Sequence, residues 1–154
     1  MKDQSPKDDH YFMKAALREA AKAAKRGEVP VGAVVVRRGE IIGRGGNRPI
    51  TSSDPTAHAE VVAIRSASRR EGNYRLPGCD LFVTVEPCAM CLGAAVQARV
   101  RRIVYGAPDP KAGAVASVME FPFRMLNHRP EIRGGIRAGE CGSLLRGFFR
   151  ARRG

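Results

Sequence analysis

Strand-like and helical segments alternate along this chain, and that alternation limits its fold more than any other feature. Five segments have the apolar character of strands: 33–37, 41–47, 81–85, 102–105 and 131–133. Helical patterns fall at 8–26, 58–70, 88–99, 115–120 and 138–152. Such alternation predicts a three-layer α/β domain with a largely parallel sheet between helices. A length of 154 residues suits one domain over 1–154.

Local signals refine the first half of the chain. Asp9 can cap the start of the first helix, and Gly27 can end it. Gly43, Gly45 and Gly46 weaken the second strand. Glycines inside a strand predict a bulge or a close approach of another backbone.

The chain is strongly basic, with a formal net charge of +12. Only six of its 27 basic residues are Lys, so a preference for Arg codons explains part of the excess. The segment 121–154 holds eight Arg and two Glu, and thus carries half of the net charge. This concentration favours a polyanionic partner, most often a nucleic acid.

The amino terminus and the apolar runs predict a soluble, cytoplasmic protein without a membrane partner. The first ten residues are polar and of mixed charge, unlike a signal peptide. The strongly apolar run 29–36 is too short to span a bilayer. In a reducing compartment, Cys88-x-x-Cys91 indicates metal or redox chemistry.

Three side chains form a candidate zinc site: His58, Cys88 and Cys91. Each lies near the start of a predicted helix, and residues i and i+3 share a helix face, so both thiolates can bind one ion. Three protein ligands leave one tetrahedral position for water, which is typical of catalytic zinc. A structural zinc needs a fourth ligand, for which Cys79 and Cys141 are the spare candidates.

Glu60 follows His58 by two residues, so it can lie beside the metal without binding it. A carboxylate at that point can move a proton away from metal-bound water. Taken alone, Glu60 is also compatible with an ordinary surface residue in a first helical turn, where the helix dipole favours it. The neighbouring metal ligands favour the catalytic interpretation.

The motifs His58-Ala59-Glu60 and Pro87-Cys88-Ala89-Met90-Cys91 resemble the signature of zinc deaminases that act on nucleobases. Beyond the signature, the chain resembles bacterial tRNA-specific adenosine deaminases, the TadA family. The matching segments are 29–36, 47–50, 54–60, 73–76, 83–88, 127–129 and 144–153. The resemblance implies a cytidine deaminase-like fold, with a five-stranded mixed sheet, and a homodimer.

The resemblance also implies an activity. The wobble adenosine in the anticodon stem-loop of an arginine tRNA would become inosine. His58, Cys88 and Cys91 would hold Zn²⁺, and Glu60 would shuttle protons between the attacking water and the base.

Further site residues follow from the resemblance. Asn47 would hydrogen-bond the purine, although an Asn before Arg48-Pro49 also suits a turn. Asp109 would lie near the substrate sugar and Lys111 near its phosphates, on a loop that Pro108 and Pro110 stiffen. Residues at the end of the last helix would meet RNA, namely Phe149, Arg150, Arg152 and Arg153. Without the resemblance, Phe148 and Phe149 are core anchors of that helix.

Two other functions are compatible with parts of the pattern. One is a deaminase of a free small molecule such as cytidine or guanine, which would not need an Arg-rich terminus. The other is a nucleic-acid-binding module with structural zinc, which would need a fourth protein ligand and no Glu60. The basic terminus and Glu60 favour the tRNA deaminase.

Overall fold

The sheet has five strands in the order β2-β1-β3-β4-β5, in a computed structural model that describes residues 7–153 and the side chains of 7–152. The strands are β1 (Gly32–Arg37), β2 (Glu40–Gly46), β3 (Cys79–Val85), β4 (Arg102–Ala107) and β5 (Glu131–Arg133). β1 is antiparallel to both β2 and β3, whereas β3–β4 and β4–β5 are parallel. The five-stranded mixed sheet is therefore confirmed.

The expectation of a largely parallel sheet is wrong for the first two strands. A tight turn at Arg38 and Gly39, with φ of 51° and 76°, folds β2 back onto β1. Positive φ at both central residues gives a turn whose twist matches an antiparallel hairpin. β3 then enters the sheet on the free side of β1 and runs opposite to it, so that only β3, β4 and β5 share a direction.

Helices cover both faces of the sheet, which confirms the three layers. They are α1 (Asp9–Lys25), α2 (Pro49–Ser52), α3 (Ala59–Glu71), α4 (Ala89–Ala98) and α5 (Ala138–Arg153). Alternate residues of each strand face opposite sides. On one side Val35, Leu81 and Val83 pack with α3 and α4 in one core cluster. On the other side, Val34 and Phe82 pack with α1 and the start of α5.

The glycines of β2 allow α3 to lie directly on the sheet. A Cβ at Gly43 would be 2.5 Å from the carbonyl oxygen of Ala63, and one at Gly45 would be 2.7 Å from that of Ala59. The register between β1 and β2 also shifts at Val35, as a bulge does. Both predicted consequences of these glycines are confirmed, and the close approach fixes the helix that follows His58.

Two local predictions are wrong. Asp8, not Asp9, caps α1, because its carboxylate accepts the N–H of Tyr11 at 3.0 Å. The segment 115–120 is a turn and not a helix. Its first three N–H groups converge on the carboxylate of Glu86, and this directs the chain into a closed loop. The sequence also gave no signal for the short α2 or for the 3-10 turn Phe123–Met125.

Asp9 ties the start of α1 to two strands. Its carboxylate accepts Arg102 Nη2 and Arg133 Nη1, both at 2.7 Å. The hydrogen bond from Arg102 outweighs burial and lowers the pKa of Asp9.

The Asp9→Asn variant is therefore expected to be less stable at pH 7 by about 2–3 kcal/mol. Because the pKa of Asp9 is lower in the folded state, its contribution exists above the ordinary Asp pKa of about 4 and fades as pH falls through the folded value. Urea unfolding at pH 7 and pH 3 measures the difference, with Glu40→Gln as an exposed control. An equal destabilisation at both pH values would contradict the ionic role.

None of the helices between residues 7 and 153 has the length and apolar character that crossing a bilayer requires.

Candidate active site

The starts of α3 and α4 bring the three predicted ligands together. His58 and Cys88 are the residues immediately before these helices, with extended backbone, and Cys91 lies in the first turn of α4. Neither His58 nor Cys88 uses its side chain to cap the helix backbone. Their side chains thus remain available to a ligand, at the positive ends of two helix dipoles.

The distances between the donor atoms fit zinc. His58 Nδ1 lies 3.6 Å from Cys88 Sγ and 3.5 Å from Cys91 Sγ, and all three donor atoms lie within 4.8 Å of one another. Tetrahedral zinc, with Zn–S near 2.3 Å and Zn–N near 2.05 Å, separates a nitrogen and a sulfur ligand by about 3.6 Å. The donor set of one imidazole and two thiols also suits this ion.

The two thiols have opposite pKa shifts, because the Cys91 thiol donates a hydrogen bond to Cys88. A hydrogen bond from the Cys91 thiol, with a second from His58, lowers the pKa of Cys88 to about 4. The pKa of Cys91 is raised for the reciprocal reason, since its thiol donates to Cys88 and is buried. A site that stabilises one thiolate without a metal is suited to a divalent cation, because the thiolate is the form of cysteine that binds metals.

Glu60 lies in the first turn of α3, and only 4% of its surface is exposed. Burial raises the pKa of its carboxyl group to about 7. The charge on Cys88 also raises this pKa, so the carboxyl group lies within electrostatic reach of the metal ligands. α3 itself is held against the glycines of β2. Glu60 is thus a rigidly placed group that can take up a proton and release it beside the metal.

The spare cysteines lie elsewhere. Cys79 begins β3, at the opposite end of that strand from Cys88, and Cys141 is buried in α5. Within residues 7–152, the side chains that could hold a metal form one group, and it contains three ligands. The geometry therefore favours a zinc site with an open fourth position over a structural site.

Cys79→Ser is expected to leave the zinc content at one ion per chain, because this residue is remote from the cluster. Elemental analysis of purified protein measures the ratio. A loss of zinc in this variant would mean that Cys79 is a fourth ligand and that the site is structural.

Asn47 follows β2 and lies next to the start of α3. Its Oδ1 accepts the N–H of Ala59 at 2.8 Å, and its own N–H donates to Val31 at 3.1 Å. The side chain is thus fixed beside the metal ligands. With Oδ1 committed to α3, the Nδ2 group is the part of the amide that can face a ligand, so the predicted contact with the purine would be that of a donor.

Three of the predicted substrate residues line one groove. Asp109, Lys111 and Phe149 border a cavity of about 480 Å³ between the β4–β5 connection and α5, with Val29 and Val31 on its wall. Lys111 Nζ lies 6.0 Å from the centre of the Phe149 ring. Phe149 is 42% exposed, so it does not serve as a core anchor. Phe148 is the more buried of the two phenylalanines.

The arginines at the end of α5 differ in their surroundings. Arg150 is exposed. Arg152 donates to the carbonyl oxygen of Gly27 at 2.9 Å and lies 4.3 Å from the Phe148 ring centre, so it links α5 to the segment before β1. The side chain of Arg153 lies outside the described residues. Contacts of these arginines with RNA stay predictions.

Sequence reasoning missed Glu86, a buried carboxylate between β3 and Pro87. Burial alone would raise its pKa, but N–H groups of Ala116, Ser117 and Asp109 and the Ser117 hydroxyl lower it to about 2. The signal was available, since an acidic residue directly after a mostly apolar strand needs buried partners.

Comparison with known proteins places this geometry in a family. The sequence model described as "Cytidine and deoxycytidylate deaminase zinc-binding region" matches residues 6–107, which include the three ligands and Glu60. The chain therefore belongs to this family of zinc-dependent deaminases, and the predicted zinc cofactor is confirmed.

Within that family the chain groups with tRNA-specific adenosine deaminases. It is 49% identical over 144 residues to the one from Agrobacterium fabrum (strain C58 / ATCC 33970), covering 93% of this chain and 95% of the relative. It is 46% identical over 143 residues to the one from Bacillus subtilis (strain 168), covering 92% and 89%.

Solved structures support the same family assignment. One, from biochemical and structural studies of A-to-I editing by tRNA:A34 deaminases at the wobble position of transfer RNA, has a TM-score of 0.83. It is 47% identical, and the match covers 88% of this chain and 99% of that chain. Guanine deaminase from Bacillus subtilis has a TM-score of 0.63 and 45% identity, covering 66% and 65%. The predicted cytidine deaminase-like fold is confirmed.

Proposed function

We propose that this chain, acting as a single domain over residues 1–154, converts adenosine to inosine at the wobble position of arginine tRNA. The observation that carries the proposal is the three-ligand cluster with buried Glu60 beside it. The names of the relatives support adenosine at the wobble position of tRNA as the substrate, and the choice of arginine tRNA follows from the resemblance in sequence.

The reaction replaces the amino group on C6 of adenine by oxygen and releases ammonia. His58, Cys88 and Cys91 would hold zinc, which would supply a nucleophile at neutral pH by lowering the pKa of a bound water from about 15.7 to about 7. Glu60 takes one proton from the attacking water and delivers it to N1 of adenine, then moves the remaining proton from the new C6 hydroxyl to the amino group, which leaves as ammonia. Asn47 holds the base by donating from Nδ2 to an acceptor on the purine.

The groove beside α5 would hold the nucleotides that flank the flipped base. Phe149 offers an exposed aromatic face on which a base can stack, and Lys111 a cation near that face. Asp109 lies on the same rim and can reach a sugar hydroxyl. A free nucleobase would need none of these contacts.

A free-base deaminase is the second candidate, because the chain is also similar to a guanine deaminase. The two are separated by supplying the zinc-loaded protein with an anticodon stem-loop, guanine, cytidine or adenosine and measuring ammonia release. We expect release from the stem-loop alone. Faster release from free guanine would replace the tRNA proposal by the alternative.

Phosphate contacts make RNA affinity depend on salt. If Lys111, Arg150, Arg152 and Arg153 contact phosphates, raising salt from about 50 to about 200 mM should weaken binding to the stem-loop roughly 10²-fold.

Positive charge is not confined to α5. Another groove, of about 610 Å³, is lined by Arg75, Arg99, Arg101 and Arg129.

Arg150→Ala should lower the slope of log affinity against log salt by about 1, whereas Arg69→Ala, at the far end of α3, should not. Fluorescence anisotropy measures the slopes. A flat salt response would remove the proposed role of the arginines on α5.

We also propose a homodimer. Several large apolar side chains lie exposed on α4 and on the β4–β5 connection: Met90, Val118, Met119, Met125 and Leu126. Exposed apolar side chains that form one patch are typical of an interface with another chain, and we propose that these five do. Light scattering after gel filtration is expected to give twice the 16.7 kDa chain mass, and a monomer mass at micromolar concentration would contradict the proposal.

We also propose that the protein acts in the cytoplasm, because a tRNA substrate implies that location.

A further inference from the structure

Glu86 is a buried carboxylate that the proposed chemistry does not use. It follows β3 directly, two residues before the metal ligand Cys88, and is 3% exposed. Its N–H donates to the carbonyl oxygen of Ala107 at 2.8 Å, which ties the end of β3 to the end of β4. Its side chain therefore starts at the end of β3 that also leads into the metal site.

The carboxylate closes a loop, which we call the substrate loop and define as residues 108–117. At one end of the loop, the N–H of Asp109 donates to Oε1 at 3.1 Å. At the other end, the N–H groups of Val115, Ala116 and Ser117 donate to Oε2 at 3.0, 2.9 and 3.1 Å. The Ser117 hydroxyl also donates to Oε1. Five donors from both ends of one loop thus meet on a single buried anion.

The loop is shaped around this anion. A Cβ at Gly113 would lie 2.4–2.6 Å from the atoms of the Glu86 carboxylate, so only glycine fits there without a shift. The N–H of Ala114 donates to the carbonyl oxygen of Pro87 at 2.8 Å, which brings the loop against the residue before Cys88. The segment Glu86-Pro87 therefore holds the substrate loop and also leads directly into the metal ligand Cys88.

The hydrogen bonds to Glu86 also affect the position of the residues that face the groove. Asp109 Oδ1 accepts the N–H of Lys111 at 3.0 Å and that of Ala112 at 3.3 Å. Fixing the backbone of Asp109 therefore fixes the turn that carries Lys111 towards Phe149.

We infer that Glu86 is a positioning residue, which holds the substrate loop against the metal site and so presents Asp109 and Lys111 to RNA. The role in RNA binding rests on the proposed function, whereas the role in holding the loop does not. A carboxylate is required because both of its oxygens accept hydrogen bonds, whereas an amide would turn a donor towards an N–H group.

The test compares Glu86→Gln with the wild type, both zinc-loaded. We expect the Kd for the anticodon stem-loop to rise about tenfold, because the loss of one hydrogen bond to a charged acceptor has this size. Zinc content and kcat at saturating RNA should stay within about twofold, since neither the ligands nor Glu60 change. Glu40→Gln makes the same chemical change on the exposed β1–β2 hairpin and should leave Kd unchanged.

A double-mutant cycle shows whether Glu86 acts through the loop. Lys111→Ala should weaken binding less in the Glu86→Gln background than in the wild type, because the lysine is then already misplaced. Additive effects, or an unchanged Kd for Glu86→Gln, would overturn the inference. If Glu86→Gln does not fold, Ser117→Ala removes one of the five bonds and should raise Kd in the same direction by a smaller factor.

Hydrogen exchange separates this inference from the proposed function. The amides of Val115, Ala116 and Ser117 should exchange slowly in the RNA-free wild type and faster in Glu86→Gln. If the wild type neither binds nor deaminates the stem-loop, the proposed function fails while the exchange data still decide whether Glu86 holds the loop. Equal exchange in both proteins would overturn the inference whatever the substrate.

Discussion

Replacing Glu60 by Ala is expected to lower kcat for inosine formation by roughly 10²–10⁴-fold, the usual size of a general acid–base contribution. Without the carboxylate, the site loses the buried acid proposed to carry a proton from water to N1 of adenine. The effect should fall on kcat and kcat/KM together, because the role proposed for Glu60 is on the reacting atoms and not on the RNA. Single-turnover formation of inosine measures it.

The fold and the metal should survive this substitution. Glu60 is not one of the three ligands, so zinc should remain at one ion per chain. Glu60→Gln, which preserves the volume of this buried side chain, should be equally inactive, whereas Glu40→Gln should be fully active. Turnover close to that of the wild type in either Glu60 variant would remove this residue from the mechanism.

Replacing Cys91 by Ser is expected to reduce zinc from one ion per chain to almost none and to abolish turnover. Cys91 lies 3.5 Å from His58 Nδ1, and both thiolates are needed to complete a set of only three protein ligands. Because zinc binds the folded chain and not the unfolded one, its loss should also lower the melting temperature. Elemental analysis and calorimetry on the same preparation report both effects.

Cys141→Ala supplies the matched control. This cysteine is as buried as Cys91, at 1% exposure, but it packs against β4 and lies outside the metal cluster. The control should lose some stability through packing and retain its zinc. Retention of a full zinc complement by Cys91→Ser would show that the ion is held elsewhere.

The candidate metal ligands were predictable from sequence because they fall in two short motifs, His58-Ala59-Glu60 and Cys88-x-x-Cys91. Cys88 and Cys91 share a helix face at i and i+3, and Glu60 is fixed by its distance from His58 along one helix. The layers were also predictable, since strand and helix periods differ along the chain. The antiparallel pairing of β1 with β3 was not, because the direction of a strand that follows a long connection is set by the path of the chain in space and not by residue periodicity.

Long-range hydrogen bonds account for the other differences. The segment 115–120 has a helical composition, but its amides turn towards Glu86, 29 to 31 residues away in sequence. The sequence predicts that Arg152 binds phosphate, and the fold shows that its Nη2 also donates to Gly27, 125 residues earlier. The sequence suggests that both the donor and the acceptor of the Asn47 amide are available to a purine, yet its Oδ1 accepts a hydrogen bond from the backbone of α3. Only the folded chain shows which polar groups are already paired.

Incubation of the zinc-loaded protein with transcribed arginine tRNA, followed by mass spectrometry of the anticodon, tests the central claim most directly. Conversion of the wobble adenosine to inosine, with a gain of one oxygen and the loss of one NH, is the expected result. Full-length tRNA that keeps its wobble adenosine, in a preparation with one zinc per chain that deaminates guanine or cytidine, would contradict it.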